Sequence, residues 1–215
     1  MFITLEGIEG SGKTTQLAHI LGYLRGIGRE CLVTREPGGT KIGEKIRNIL
    51  LDRDHDMLDA MAELLLYTAD RAQHVHETIK PALDSGKIVI CDRFHDSTIA
   101  YQGAARGIDA DTIKALGRLV LKDVSPDVTF LLDLPPETGL LRAWNEINAG
   151  AREKGQSRFE REKRRFHEKV RQGYLSLAAA EPHRIKIIDA SLPPADVTDA
   201  ILAELKNFLY TYENR

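Results

Sequence analysis

The segment FITLEGIEGSGKTTQ, residues 2–16, constrains this chain more than any other. Gly7, Gly12, Lys13 and Thr14 carry the spacing G-x-x-x-x-G-K-[ST]. The run before them reads as a strand, and the run after as a helix from Thr14 to about Leu24. A glycine-rich turn in that setting aims backbone N–H groups and a helix N-terminus at one point, where phosphate oxygens are attracted. Gly7, Ile8, Glu9, Gly10, Ser11, Gly12, Lys13 and Thr14 are therefore expected to wrap the phosphates of a nucleoside triphosphate. Lys13 is expected to reach the outer phosphates, and the Thr14 hydroxyl to ligate Mg2+. Glu9 is the anomaly, a carboxylate in a cradle for polyanions. Backbone, lysine and metal already hold the phosphates, so its side chain is free to project outward, toward the space between donor and acceptor.

Four further apolar runs read as strands: 30–36, 87–93, 127–134 and 184–189. Most are β-branched and lack strict alternation, as strands covered on both faces do. Between them lie helical patterns, over 58–83 and over 195–212, the latter entered through Pro193 and Pro194. Strands alternating with helices specify an α/β protein with a five-stranded parallel sheet flanked by helices. The whole chain, 1–215, is expected to be a single P-loop NTPase domain. The net charge of -2 and 42% apolar content describe an ordinary globular protein and argue for neither a nucleic-acid nor a membrane partner. Cys31 and Cys91 sit in apolar runs and are expected to be buried free thiols. No basic stretch followed by an apolar one opens the chain, so the cytoplasm is the expected location. His74 and His76 stand two apart on a helix and face different ways, which argues against a metal pair. The acidic DRDHD at 52–56 is expected to be solvated, and Trp144 to pack near the basic segment described below.

Asp92 and Asp133 each close a strand, and either places a carboxylate where the metal side of a phosphate site is needed. Asp92 is preferred, because Arg93 leaves the same strand tip and can clamp a phosphate with its planar fork of donors. A GTP-driven switch needs N-K-x-D and D-x-x-G, and neither occurs. Lys13 and the loop already serve the donor phosphates. The further arginines Arg35, Arg47, Arg71 and Arg93 then imply a second anionic ligand, as in a kinase of a small acceptor. Residues 152–171 hold nine Lys or Arg against four Glu. They read as a solvated helix with pairs such as Arg158–Glu162 and Glu160–Arg164, as a nucleic-acid contact without the usual interleaved aromatics, or as a basic lid over a triphosphate.

In combination and in this order, FITLEGIEGSGKTTQ, TREPGGT (34–40), YTADRAQH (67–74), CDRF (91–94), DSTIAYQGAARGI (96–108), PDVTFLLDLPPETGL (126–140), SRFERE (157–162) and FHEKVRQGYLSLA (166–178) resemble thymidylate kinase over essentially the whole chain. The resemblance implies transfer of the ATP γ-phosphoryl to dTMP by a Mg2+-dependent homodimer. It implies that Pro37 lies at the dTMP site and that Arg47 and Arg93 clamp the acceptor phosphate. Tyr67, where the family has Phe, would stack on thymine, and Arg71 would hydrogen-bond the base. Thr98 and Gln102 would line the base edge, and Tyr101 would lie beneath the deoxyribose, where a 2′-hydroxyl would collide. Glu9 would meet the 3′-hydroxyl. Because positions 8–11 contain no arginine, the chain resembles the bacterial subgroup in which the lid, here about 142–162, supplies Arg158 to the transferring phosphoryl as a catalytic group. That reading favours the lid for 152–171. Ser157 stands where the family has Asp, leaving Glu160 to take its place. The stretch NEINAGAREKGQ around Arg152 is longer than the family pattern.

Overall fold

The computed structural model describes residues 1–150 and 155–213. Five parallel strands, β1 (Phe2–Glu6), β2 (Cys31–Arg35), β3 (Ile88–Asp92), β4 (Val128–Asp133) and β5 (Ile185–Asp189), lie in the order β2-β3-β1-β4-β5. They are the five runs expected, with ends shifted by at most one residue. β1, β3 and β4 are buried along almost their whole length, which is why their sequences are apolar without alternation. β2 is an edge strand, so Cys31 is only half-buried, whereas Cys91 on β3 is fully buried; both thiols are free.

The helices are α1 (Lys13–Gly26), α2 (Lys41–Leu51), α3 (Ala60–His74), α4 (Lys80–Asp84), α5 (His95–Thr98), α6 (Ala110–Leu121), α7 (Pro136–Asn148), α8 (Arg164–Ala180) and α9 (Pro194–Glu213). Asp59 starts α3 by accepting hydrogen bonds from the N–H groups of Met61 and Ala62. The single helix expected over 58–83 is in fact α3, a π-helical stretch Val75–Ile79, and α4. Pro81 has no N–H for the preceding turn, and the widened turn lies just before it. A second π-helical stretch, Ile99–Ala105, follows α5 and carries Tyr101 and Gln102. No described helix is long and apolar enough to cross a membrane.

β1 is central, and the chain crosses from β3 on one side of it to β4 on the other. The crevice beyond the carboxyl ends of β3, β1 and β4 is where an open parallel sheet offers a site. Glu6, Asp92 and Asp133 end those three strands.

The basic segment divides. Its second half opens α8, where Arg164 pairs with Glu168 at 2.8 Å and with Glu137. The pairings expected from spacing alone are replaced by others: Arg158 binds Glu63, and Glu162 binds Arg106. Arg152 lies outside the described residues. Trp144, on α7, is about one-third exposed rather than fully packed.

Candidate active site

The loop between β1 and α1 rests on backbone alone where it meets α7. Gly10 has φ 68°, and a Cβ there would run into the Gly139 carbonyl; a Cβ on Gly139 would lie 2.5 Å from the Glu9 carbonyl oxygen. Only two glycines allow this approach. Lys13 folds over the loop, its Nζ donating to the carbonyls of Gly7 (3.0 Å) and Ile8 (2.9 Å) and to Ser11 Oγ (3.1 Å). Burial, with the charge of Arg93, lowers the Lys13 pKa to about 8.

An outer cleft beside the loop is lined by residues 9–15 together with Arg35, Arg47, Asp92 and Arg93. Asp92 Oδ1 is buried there and accepts no hydrogen bond from the described residues. Thr14, exposed, lines the same cleft. A carboxylate oxygen left without a donor, in a cleft that also presents a hydroxyl, fits a hard, oxygen-seeking cation. Asp133 does not compete: Arg171 holds both of its oxygens, at 2.7 and 2.8 Å.

An inner cavity adjoins the cleft, lined by Pro37, Arg47, Leu51, Tyr67, Arg71, Arg93, Thr98, Tyr101, Gln102 and Phe159 among others. Glu9, Arg47 and Arg93 line both spaces. Arg93 sits at φ 67°, a left-handed conformation costly for a side chain of this size. Its Nη1 donates to Ser97 Oγ (3.3 Å) and Tyr174 OH (3.1 Å), and its Nη2 to Glu9 Oε1 (3.2 Å). Tyr101 OH donates to the same Glu9 oxygen at 2.6 Å. Burial alone would raise the Glu9 pKa, but the His167 ring, Arg93 and Tyr101 hold it well below the usual carboxylate range. Arg71 is committed to the protein, donating to Glu36 (2.8 Å), Thr98 Oγ1 (2.9 Å) and the Phe94 carbonyl (3.1 Å). Gln102 donates to Glu63 at 2.9 Å.

The thymidylate kinase family model matches residues 5–201. The chain belongs to the thymidylate kinase family. It is 53% identical over 206 residues to a thymidylate kinase of Desulfosudis oleivorans, covering 96% of each chain. It is 57% identical over 190 residues to one of Desulforapulum autotrophicum, covering 88% of this chain and 84% of that one. The crystal structure of thymidylate kinase from Ehrlichia chaffeensis superposes with a TM-score of 0.75 at 39% identity, covering 96% of this chain and 98% of that one. Thymidylate kinases phosphorylate dTMP to dTDP with ATP, on the route to dTTP.

The positions that carry the thymidylate kinase motifs converge. Pro37, Arg47, Tyr67, Arg71, Arg93, Thr98, Tyr101 and Gln102 all line the inner cavity, although they come from four separate stretches of chain. Arg158 is the exception. It is buried, its Nε donating to the Leu50 carbonyl (2.6 Å) and its Nη2 to Glu63 Oε2 (2.5 Å), and it does not line the outer cleft. In this structure it does not face the phosphates, because the fully buried Glu63 carboxylate holds it. Ser157 and Glu160 are buried beside it.

Sequence reasoning missed four buried residues. Glu6 accepts from Phe94 N (2.7 Å), Ser97 Oγ (2.6 Å) and Tyr174 OH (2.8 Å), and so fixes the platform under Arg93. Glu63 gathers Gln102, Arg106 and Arg158. Tyr174 and His167 come from α8. Only Glu6 carried a signal, a carboxylate closing an otherwise apolar strand directly before the loop.

Proposed function

We propose that the outer cleft takes ATP along residues 7–14, that the inner cavity takes dTMP, and that the γ-phosphoryl passes between them where Glu9, Arg47 and Arg93 line both spaces. That shared border carries the reading. A planar base in the inner cavity stacks on Tyr67, with Arg71, Thr98 and Gln102 at its edge and Pro37 at the wall. The acceptor phosphate then lies between the guanidiniums of Arg47 and Arg93, and Tyr101 lies under the sugar, against a 2′-hydroxyl. Glu9 accepts a hydrogen bond from the 3′-hydroxyl, and its charge turns away a misplaced phosphate. Lys13 and the loop N–H groups hold the donor phosphates.

Asp92 and Thr14 hold Mg2+, which supplies charge compensation for the phosphates when bound. Arg158 reaches the transferring group by leaving Glu63. The proposal includes a homodimer, supported by Ile42 and Ile49 on α2 and Met61 and Leu65 on α3, all more than 40% exposed on neighbouring helices. A cytoplasmic location belongs to it as well, since both ligands are water-soluble nucleotides. The test is ADP release with ATP, Mg2+ and each common nucleoside monophosphate in turn. dTMP is expected to give the highest kcat/KM and thymidine ribonucleotide a far lower one; a higher kcat/KM for any other monophosphate overturns the assignment of the inner cavity.

A further inference from the structure

The two oxygens of Glu9 face different parts of the fold. Oε1 receives Tyr101 and Arg93, while Oε2 is buried and has no hydrogen-bond donor. The atom facing Oε2 is Nδ1 of His167, 3.3 Å away on α8. His167 is fully buried, and neither of its ring nitrogens has a hydrogen-bond partner. Five buried side-chain polar atoms lack a partner among the described residues, and three of them belong to this one pair. A buried donor or acceptor without a partner costs about 1–3 kcal/mol, so a purely apolar side chain would pack here at lower cost. Packing alone does not account for an imidazole at this position.

We infer that His167 is a positioning residue for Glu9. Two donors on Oε1 leave the carboxylate free to swing about its last bond; a third group at Oε2 fixes its plane. At 3.3 Å the ring and the carboxylate attract without meeting hydrogen-bond geometry, and a small rotation of either completes the bond. The proton is assigned to Nδ1 because that nitrogen faces the carboxylate. α8 comes this close because Gly173 has no side chain: a Cβ there would lie 2.7 Å from Ala104 Cβ and 3.1 Å from Ala100 Cα, in the π-helical stretch that bears Tyr101. Tyr174 stands seven residues beyond His167, on the same face of α8, and holds Arg93. One helix face therefore orients both the anion and the cation at the border between the two spaces. The inference rests on the reading of Glu9 as the contact to the acceptor's sugar.

His167→Phe keeps a ring and removes both nitrogens, while His167→Asn keeps a donor near the Nδ1 position. His167→Phe is expected to raise the KM for dTMP about tenfold, the scale of one hydrogen bond to a charged group, with the KM for ATP unchanged. His167→Asn is expected to restore most of that loss. In a Glu9→Gln background His167→Phe should change the KM for dTMP less than twofold, because the carboxylate that the ring holds is gone. The 15N resonance of His167 Nδ1 should shift in Glu9→Gln, a readout independent of turnover. Equal losses in the Phe and Asn variants, additivity with Glu9→Gln, or an unmoved Nδ1 resonance overturns the inference. The sugar reading fails separately: wild-type protein would then bind dTMP and its 3′-deoxy analogue alike, while the Nδ1 resonance still moved with Glu9→Gln.

Discussion

Tyr67 projects from α3 into the inner cavity one helical turn before Arg71, and the guanidinium of Arg71 is already bound to Glu36, Thr98 and the Phe94 carbonyl. In the proposed complex the base-edge donor is thus held rigid, and the ring beside it supplies the contact area. Tyr67→Ala should weaken dTMP binding by about 1–3 kcal/mol, the usual scale for base–aromatic stacking, and leave ATP binding nearly unchanged; titration calorimetry with each nucleotide separates the two. Equal weakening would mean that this helix face is structural. The i, i+4 spacing of Tyr67 and Arg71 was legible in the sequence because helix geometry is local. The choice between Asp92 and Asp133 was only half legible. Both end strands, and the partner that occupies Asp133, Arg171, lies 38 residues away on α8.

At the scale of elements, the segment at 155–162 lies against the end of α2. The Gly155 carbonyl accepts from Arg53 N at 3.0 Å, and Arg158 reaches the Leu50 carbonyl and Glu63. Glu63→Ala leaves Arg158 without its carboxylate partner and removes one of the two that hold Arg106, so it should cost about 3–5 kcal/mol of stability, as breaking a buried ion pair does. Arg158→Ala leaves Glu63 with Arg106 and Gln102 and should cost less in a thermal melt. Its larger effect is expected in steady-state kinetics, a fall in kcat on the order of 10³-fold with both substrate dissociation constants nearly unchanged. An intact kcat would show that Arg158 only anchors the segment. The strands were legible nearly to the residue, since each is a short apolar run closed by polar residues. The π-helical stretches and the start of α8 at Arg164 were not, because a highly charged sequence fits a solvated helix and a lid equally well.

For the whole molecule, the buried carboxyls under the site make stability depend on pH. Burial, with the charge of Asp96, pushes Glu6 up from 4.5 to about 7. Between those values the folded protein keeps a proton that the unfolded chain has lost. The stability contributed by this group is therefore fully present below pH 4.5 and is lost as pH rises through 7. Glu6→Gln cannot ionise, so the difference in melting temperature between this variant and wild type should move in favour of the variant from pH 5 to pH 8, an interval that spans the upper part of this titration. A constant difference across that range would mean that Glu6 stays charged throughout. The upward shift arises where elements distant in sequence meet, since burial under the site raises it and Asp96, whose charge adds to it, stands on α5, while the hydrogen bonds from Ser97 and Tyr174 oppose it.

The sequence by itself determined the α/β class, the five strands, the phosphate loop, the family, and most of the residues around the inner cavity. Each of these is written in short motifs or local periodicity, which the backbone obeys without knowing its neighbours. Only the tertiary structure decided which strand-end aspartate lacks a donor, where Arg158 rests, and what stands behind Glu9. Those depend on pairings across the sheet and onto α8, such as His167 against Glu9 and Arg171 against Asp133. A buried charge takes the partner that packing brings to it, and sequence spacing does not encode that distance.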